Sequence, residues 1–234
     1  MSEALEQVSG IEYIPIFPLP LVLMPYEMLP LHIFEPRYQQ MLKDIELRRN
    51  LFGVNFFEQQ SEFETRPAIG SVGCVTMIRE SQTMPDGRAN LLTFGLVRYR
   101  ILDYVDVGTP YAAAEIDFFE DEHEDDTVLA PIADEVQQLF ERVAQAAFKL
   151  SGSRGIYPEV PTSRPEQLSF LVAASFSLDN DIKSQLLAMT STSQRLEQLK
   201  ELLTQAVEQM ESNADIVGAA QTNGHSKKPI DLPE

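Results

Sequence analysis

The chain is poor in the residues that carry most metal and redox chemistry. Its 234 residues include one cysteine, Cys74, three histidines and no tryptophan. A single cysteine excludes an internal disulfide and a cysteine-based zinc site. It is also compatible with a reducing cytoplasm, where we expect the protein to reside. Cys74 lies in an apolar, strand-like run, which favours a buried and unreactive thiol.

Positive charge is scarce as well. The chain has 18 Lys and Arg against 36 Asp and Glu, giving a formal net charge of −18. Nucleic-acid binding depends on Lys and Arg side chains that neutralise phosphates. Attraction to an anionic membrane surface needs the same side chains. We therefore expect neither nucleic acid nor membrane as a partner.

The motifs expected of an enzyme are missing too. No phosphate-binding G-x-x-x-x-G-K-[ST] sequence occurs, and we expect no cofactor. A hydrolase would have to use His32 with a nearby Ser or Asp, but a half-buried histidine bonded to backbone is the simpler interpretation. The acidic run "DEHEDD" could hold a metal through Asp121, His123 and Asp125, yet it lacks a glycine that would fix the loop. A solvated acidic linker and no metal site are predicted.

What the chain does contain is an apolar segment at residues 14–34 that prolines prevent from being a helix. Prolines stand at positions 15, 18, 20, 25 and 30. Each one removes a backbone donor and would clash inside a helix, so a membrane-spanning helix is excluded here. Proline is tolerated at strand starts, edges and bulges. The segment is therefore predicted to form one or two bent edge strands across an apolar core.

The remaining pattern predicts an α+β protein in which strands come first. Strands are expected at 51–57, 70–80, 89–94, 97–105 and 112–118, with one helix beginning at Pro36. After the acidic run the spacing becomes helical, with capping boxes predicted at Ser163–Glu166 and Ser191–Gln194. We expect a β-rich subdomain at 11–119, a helical subdomain at 127–212 and a disordered tail at 213–234.

Three stretches in this order carry a resemblance to a known family. They are "IPIFPLPLVLMPYEMLPLHIFEPRYQQML", "GSVGCVTMIRESQTMPDGRANLLTFGLVRYRIL" and "SQRLEQLKELL". Together they resemble the N-terminal substrate-binding (LON) domain of Lon-type ATP-dependent proteases, over about residues 12–210. The resemblance implies a small PUA-like β-barrel with one helix, followed by a helical bundle. It also implies capture of unfolded or extended polypeptide.

Full Lon proteases continue into ATPase and peptidase domains, whose motifs this sequence lacks. The expectation is a free-standing, non-catalytic module that serves as an adaptor or regulator of proteolysis, with a separate protease or chaperone as partner. Two alternatives stay open at this stage: a hydrolase using His32, and an RNA-binding module, because PUA-like folds elsewhere bind RNA. The net charge of −18 counts against RNA.

The predicted substrate-binding residues lie in "LMPYEM" and are Leu23, Met24, Tyr26 and Met28. Pro25 interrupts any strand ladder there, and Glu27 is the only formal charge in the apolar segment. In an extended chain the alternating Met24, Tyr26 and Met28 would share one face, and methionine adapts to varied partners. The alternative is that most of residues 14–34 form core.

Overall fold

A computed structural model describes residues 2–46, 49–59, 65–150 and 163–223, without the side chains of 149, 150 and 211–223. The first part of the chain contains two helices and a six-stranded sheet. Its elements are α1 (Glu3–Val8), β1 (Tyr13–Leu19), β2 (Met28–Ile33), α2 (Pro36–Glu46), β3 (Leu51–Phe56), β4 (Val72–Thr83), β5 (Ala89–Val105) and β6 (Ala113–Phe119).

The sheet closes into a barrel through β5. The strand order is β2-β5-β4-β3-β1-β6, and β6 also pairs with β5. Residues 89–94 of β5 pair with β2, and residues 98–105 pair with β6. The sequence predicted two strands divided between residues 94 and 97. The structure has one continuous strand that changes neighbour at that point, and β2 stays outside the barrel as an edge strand.

The proline-rich segment supplies both an interior and an edge strand. β1 pairs antiparallel with β6 over residues 13–15 and parallel with β3 over residues 16–19. Each part of β1 therefore has a ladder mainly on one side, which lowers the cost of Pro15 and Pro18. The expectation of edge strands is confirmed for β2 and wrong for β1, which lies between two neighbours.

The second part of the chain is helical, with α3 (Asp126–Leu150), α4 (Pro165–Ser175), α5 (Asn180–Ala188) and α6 (Thr192–Asn223). The Ser191 hydroxyl accepts from Gln194 N–H at 3.2 Å, as the capping box predicted. The Ser163–Glu166 box is wrong, because Arg164 occupies the N-cap and places Glu166 one position too early. Helix α6 runs past the predicted boundary at residue 212, and residues 224–234 of the predicted tail lie outside the described residues.

Tyr99 fills the barrel between two glycines. Its ring is fully buried, and its hydroxyl donates to the Val54 carbonyl at 3.3 Å. A Cβ atom on Gly53 or Gly73 would lie 2.5 Å from that hydroxyl oxygen. Glycine is therefore needed at both positions for the tyrosine to fit. The α+β architecture, with a PUA-like barrel followed by a helical bundle, agrees with the prediction.

Candidate functional site

The buried charges of the molecule meet where the barrel joins the bundle. Arg98 of β5 and Arg195 of α6 both form ion pairs with Asp121, at 2.5 Å for Arg98 Nη2 to Asp121 Oδ1. Both guanidinium groups lie over the ring of Phe170. Arg195 Nε also donates to the Ser169 hydroxyl at 2.8 Å. This cluster satisfies buried charge with several partners, so its role is to join the two halves.

The predicted acidic linker does connect β6 to α3, and residues 122, 123, 125 and 126 in it are exposed, but the prediction is wrong for Asp121. The Asp121 side chain is only 5% exposed. Glu122 N–H donates to the Thr190 carbonyl at 2.8 Å, and the Glu124 carboxylate accepts from Ser193 N–H at 3.0 Å. The Asp125 carboxylate accepts from Thr127 N–H at 2.8 Å, at the start of α3. Acids that are close together in the sequence therefore have different roles. Asp121 pairs with buried arginines, whereas Glu124 and Asp125 accept hydrogen bonds from backbone N–H groups at the starts of α6 and α3.

The four residues predicted to bind substrate do not form one surface in the structure. Met24 is 0% exposed and packs in the helical core cluster, and Leu23 lies in the cluster beneath α2. The exposed position predicted for Met24 is therefore wrong, and Leu23, which was predicted to bind substrate, is buried as well. The extended chain assumed for the alternation does not exist, because Tyr26 has a φ of 68° in a turn. Met24 and Met28 therefore do not share a face, and Met28 remains 45% exposed.

This turn is held against β5 at Gly95. Tyr26 N–H donates to the Gly95 carbonyl, and Gly95 N–H donates to the Glu27 carbonyl, both at 2.8 Å. A Cβ atom on Gly95 would meet the carbonyl oxygen of Met24 well inside contact distance. The Glu27 carboxylate accepts from Met24 N–H at 2.9 Å, and burial raises the pKa of Glu27. The one charge in the apolar segment thus stabilises its turn.

An exposed apolar surface, which we call the β2 face, lies next to this turn. Met28 and Pro30 are exposed on β2, and Phe34, just beyond the strand, is 61% exposed. In the sheet register Met28 lies opposite Phe94, and Pro30 lies opposite Leu92. The β2 face is defined as Met28, Pro30, Phe34, Leu92 and Phe94. Exposed apolar surface of this kind marks binding sites more often than isolated apolar residues do.

His32 lies on the same strand and is exposed, so its predicted half-buried position is wrong. Its Nδ1 lies 2.7 Å from Oδ1 of Asn90, and its ring stacks against Phe34 at 6.1 Å between centroids. This partner is an amide rather than a carboxylate or a nucleophile. These contacts orient Phe34 and extend the β2 face with a polar pair.

A cavity of about 270 Å³ opens at the end of the β2 face. Tyr26, Phe94 and Leu96 form its apolar wall, and Glu166 of α4 lies on its rim. The rings of Tyr26 and Phe94 make an edge contact at 6.5 Å between centroids. Burial raises the pKa of Glu166, and burial together with Glu166 raises the pKa of Tyr26. Residues of α1 also line the cavity.

The remaining features considered in the sequence, Cys74, a metal site and a membrane-spanning helix, do not contribute to the β2 face. Cys74 is buried and free, as predicted, and burial raises the pKa of its thiol to about 12. Within the described ranges, no group of three or more His, Cys, Asp or Glu side chains is arranged to hold a metal. Within the same ranges, none of the helices combines the length and the apolar character that crossing a bilayer requires.

The barrel-and-bundle architecture matches that of Lon N-terminal domains. The Lon N-terminal domain protein from Xanthomonas campestris superposes with a TM-score of 0.59 at 24% identity, over 81% of this chain and 97% of that chain. The N-terminal domain of the Mycobacterium avium complex Lon protease superposes with a TM-score of 0.60 at 14% identity, over 82% and 98%. These likenesses define the fold class.

The family follows from the sequence. The model of the ATP-dependent protease La (LON) substrate-binding domain matches residues 13–205, and the chain belongs to this family. Lon protease of Dictyoglomus thermophilum is 23% identical over 86% of this chain and 25% of its own length. Lon protease of Geobacter metallireducens is 24% identical over 98% and 28%. The chain thus spans about a quarter of the length of these relatives.

Proposed function

We propose that this protein captures unfolded or extended polypeptide on the β2 face. The observation that carries the proposal is the row of exposed Met28, Pro30 and Phe34 beside Leu92 and Phe94, on an edge strand of a substrate-binding domain. Binding would come from apolar side-chain contact with the face. Pro30 removes a donor at the centre of β2, so the strand edge is poorly suited to a full ladder with another chain.

Of the four residues predicted from the sequence, two keep a place in this proposal. Met28 belongs to the β2 face, and Tyr26 supports Phe94 at the mouth of the cavity. Leu23 and Met24 are both buried, so they would support the binding surface without contacting the polypeptide. The proposed client is apolar and carries net positive charge, which complements the net charge of −18.

The binding test uses reduced and alkylated lysozyme, a basic unfolded chain, with fluorescence anisotropy as the readout. Met28→Ser combined with Phe34→Ser should weaken binding on the order of tenfold, because each side chain buries roughly half of ~1.5–3 kcal/mol. The matched control is Ile69→Ser combined with Val128→Ser, which removes apolar side chains that are 60% and 53% exposed on other elements. Equal affinities for the two variants would contradict the proposal.

A role in proteolysis extends this proposal. We infer that the domain delivers bound polypeptide to an ATP-dependent protease or a chaperone in the cytoplasm, and that by itself it hydrolyses neither ATP nor casein. Affinity capture from the source cell, read by mass spectrometry, tests this with wild type and with the Met28→Ser, Phe34→Ser variant. Recovery of such a partner supports the adaptor role, and ATP turnover that persists through purification contradicts it.

A further inference from the structure

The N-terminal helix α1 lies outside the residues that the family model matches. The family match begins at residue 13, and α1 spans Glu3–Val8. A helix of this length is not stable alone in water. Its structure therefore depends on the contacts that it makes with the barrel, and the nature of those contacts decides what α1 does.

Few contacts hold α1 in place, and they end at the mouth of the cavity. Val8 is buried in the barrel cluster that includes Leu96, and Leu5 is half-buried against the same cluster. The Ser2 hydroxyl donates to the Glu120 carboxylate. At the other end Arg49 donates to the carbonyls of Gln7 and Ser9, at 2.8 and 3.0 Å. One fully buried side chain, two half-buried ones (Ala4 and Leu5) and a few hydrogen bonds hold α1, so it should open more readily than the strands of the barrel.

The position of α1 links it to the β2 face. Ala4 and Gln7 wall the same cavity as Phe94 and Leu96. Phe94 is part of the β2 face, while Leu96, two residues further along β5, is only 7% exposed. The apolar surface that begins at Met28 thus reaches Leu96, which shares a core cluster and a cavity with residues of α1.

We propose that α1 is a detachable strap, and that its release extends the β2 face to Leu96 for a bound polypeptide. This inference rests on the proposed function of the β2 face. The client and α1 compete for the surface around Leu96. If α1 is released in about one molecule in ten, the apparent affinity for a client is about tenfold below that of the open form.

Two variants test whether α1 competes with the client or only contributes to the stability of the fold. Leu5→Ser weakens the docking of α1 and should strengthen binding of reduced and alkylated lysozyme, by up to about tenfold. Glu6→Gln is the matched control on the exposed side of α1 and should leave affinity unchanged. The melting temperature of the Leu5→Ser variant is measured in parallel, since only a folded barrel makes the comparison valid.

Hydrogen exchange of the wild-type protein gives a readout that does not depend on any substitution. The amides of α1 should exchange faster when the lysozyme chain is bound at saturation, because the strap is displaced. Slower exchange in α1, or weaker binding by Leu5→Ser, would show that α1 is part of the binding surface and would overturn the strap.

The same experiments distinguish failure of the strap from failure of the proposed function. If the Met28→Ser, Phe34→Ser variant binds more weakly while α1 exchange and Leu5→Ser binding stay unchanged, the β2 face binds polypeptide and the strap is overturned. If that variant also binds as the wild type does, the proposed function and the strap are both overturned.

Discussion

The guanidinium of Arg98 and the carboxylate of Asp121 join the barrel to the bundle at a distance of 2.5 Å, inside the protein. Arg98 also donates to the Leu187 carbonyl at 3.0 Å, so one side chain contacts both the acidic segment and the end of α5. The motifs "GLVRYRI" and "SQRLEQL" that support the family resemblance contain the two arginines of this cluster. Those parts of the resemblance therefore reflect the architecture of the junction.

Asp121→Asn should strongly destabilise the protein. It leaves Arg98 and Arg195 buried without a carboxylate, and breaking a buried ion pair costs about 3–5 kcal/mol. Asp117→Asn is the control, because Asp117 is exposed on β6 and surface changes fall within about 0.5 kcal/mol. Urea unfolding measures both, and a similar midpoint for the two variants would contradict the role given to Asp121.

Met24→Ser and Met28→Ser should differ sharply in stability. Met24 is fully buried, so truncation leaves a cavity and an unpaired hydroxyl, at a cost of about 2–5 kcal/mol. Met28 is 45% exposed, so its substitution should change the free energy of unfolding by about 0.5 kcal/mol or less. Thermal unfolding of the two variants is the measurement, and equal losses would mean that Met28 also belongs to the core.

The Cys74 thiol should be inert in the folded protein. Burial raises its pKa to about 12 and shields it from reagents, so little thiolate exists at pH 8. Iodoacetamide labelling at pH 8 should be slow in buffer and fast in concentrated urea, with mass spectrometry as the readout. Rapid labelling of the native protein would show that the barrel opens at β4.

Glu166 should make stability fall as the pH rises. Burial raises its pKa in the folded state, so the protonated form is favoured there and ionisation opposes folding. Glu166→Gln should match the wild type below the unfolded pKa of 4.5 and melt at a higher temperature as the pH rises through the folded pKa.

The control for this prediction is Glu208→Gln, at an exposed position on α6. Melting temperatures of all three proteins are compared from pH 4 to pH 8. A gap between the Glu166→Gln variant and the wild type that stays constant over this range would mean that ionisation of Glu166 is not its source.

Local patterns in the sequence predicted much of the fold. Prolines identified the extended segment, and Pro36 marked the start of α2 as observed. The turn at Gly87, where φ is 85°, follows from "PDG". The closing of the barrel could not be predicted in this way, because β5 pairs with three strands and only the register shows where it changes neighbour.

The candidate site was harder to predict for a related reason. Alternation along Met24, Tyr26 and Met28 assumes an extended chain, and a left-handed turn residue at Tyr26 ends that alternation. Tertiary contacts likewise decide the fate of the acids at 120–126, since nothing local to Asp121 indicates that Arg98 and Arg195 approach it. Phe34 is exposed beside a helix start, and the sequence alone gave no signal for its place in the β2 face.

Strand β5 has a mechanical consequence for any assembly that contains this domain. Its first residues hold β2 and its later residues carry Arg98 into the bundle, along one unbroken backbone from Ala89 to Val105. If a polypeptide binds on β2 as proposed, a load applied to it would be transmitted along a paired strand and would reach the helices without crossing a loop. A partner protein bound to the helical bundle would also set the orientation of a polypeptide bound on the β2 face.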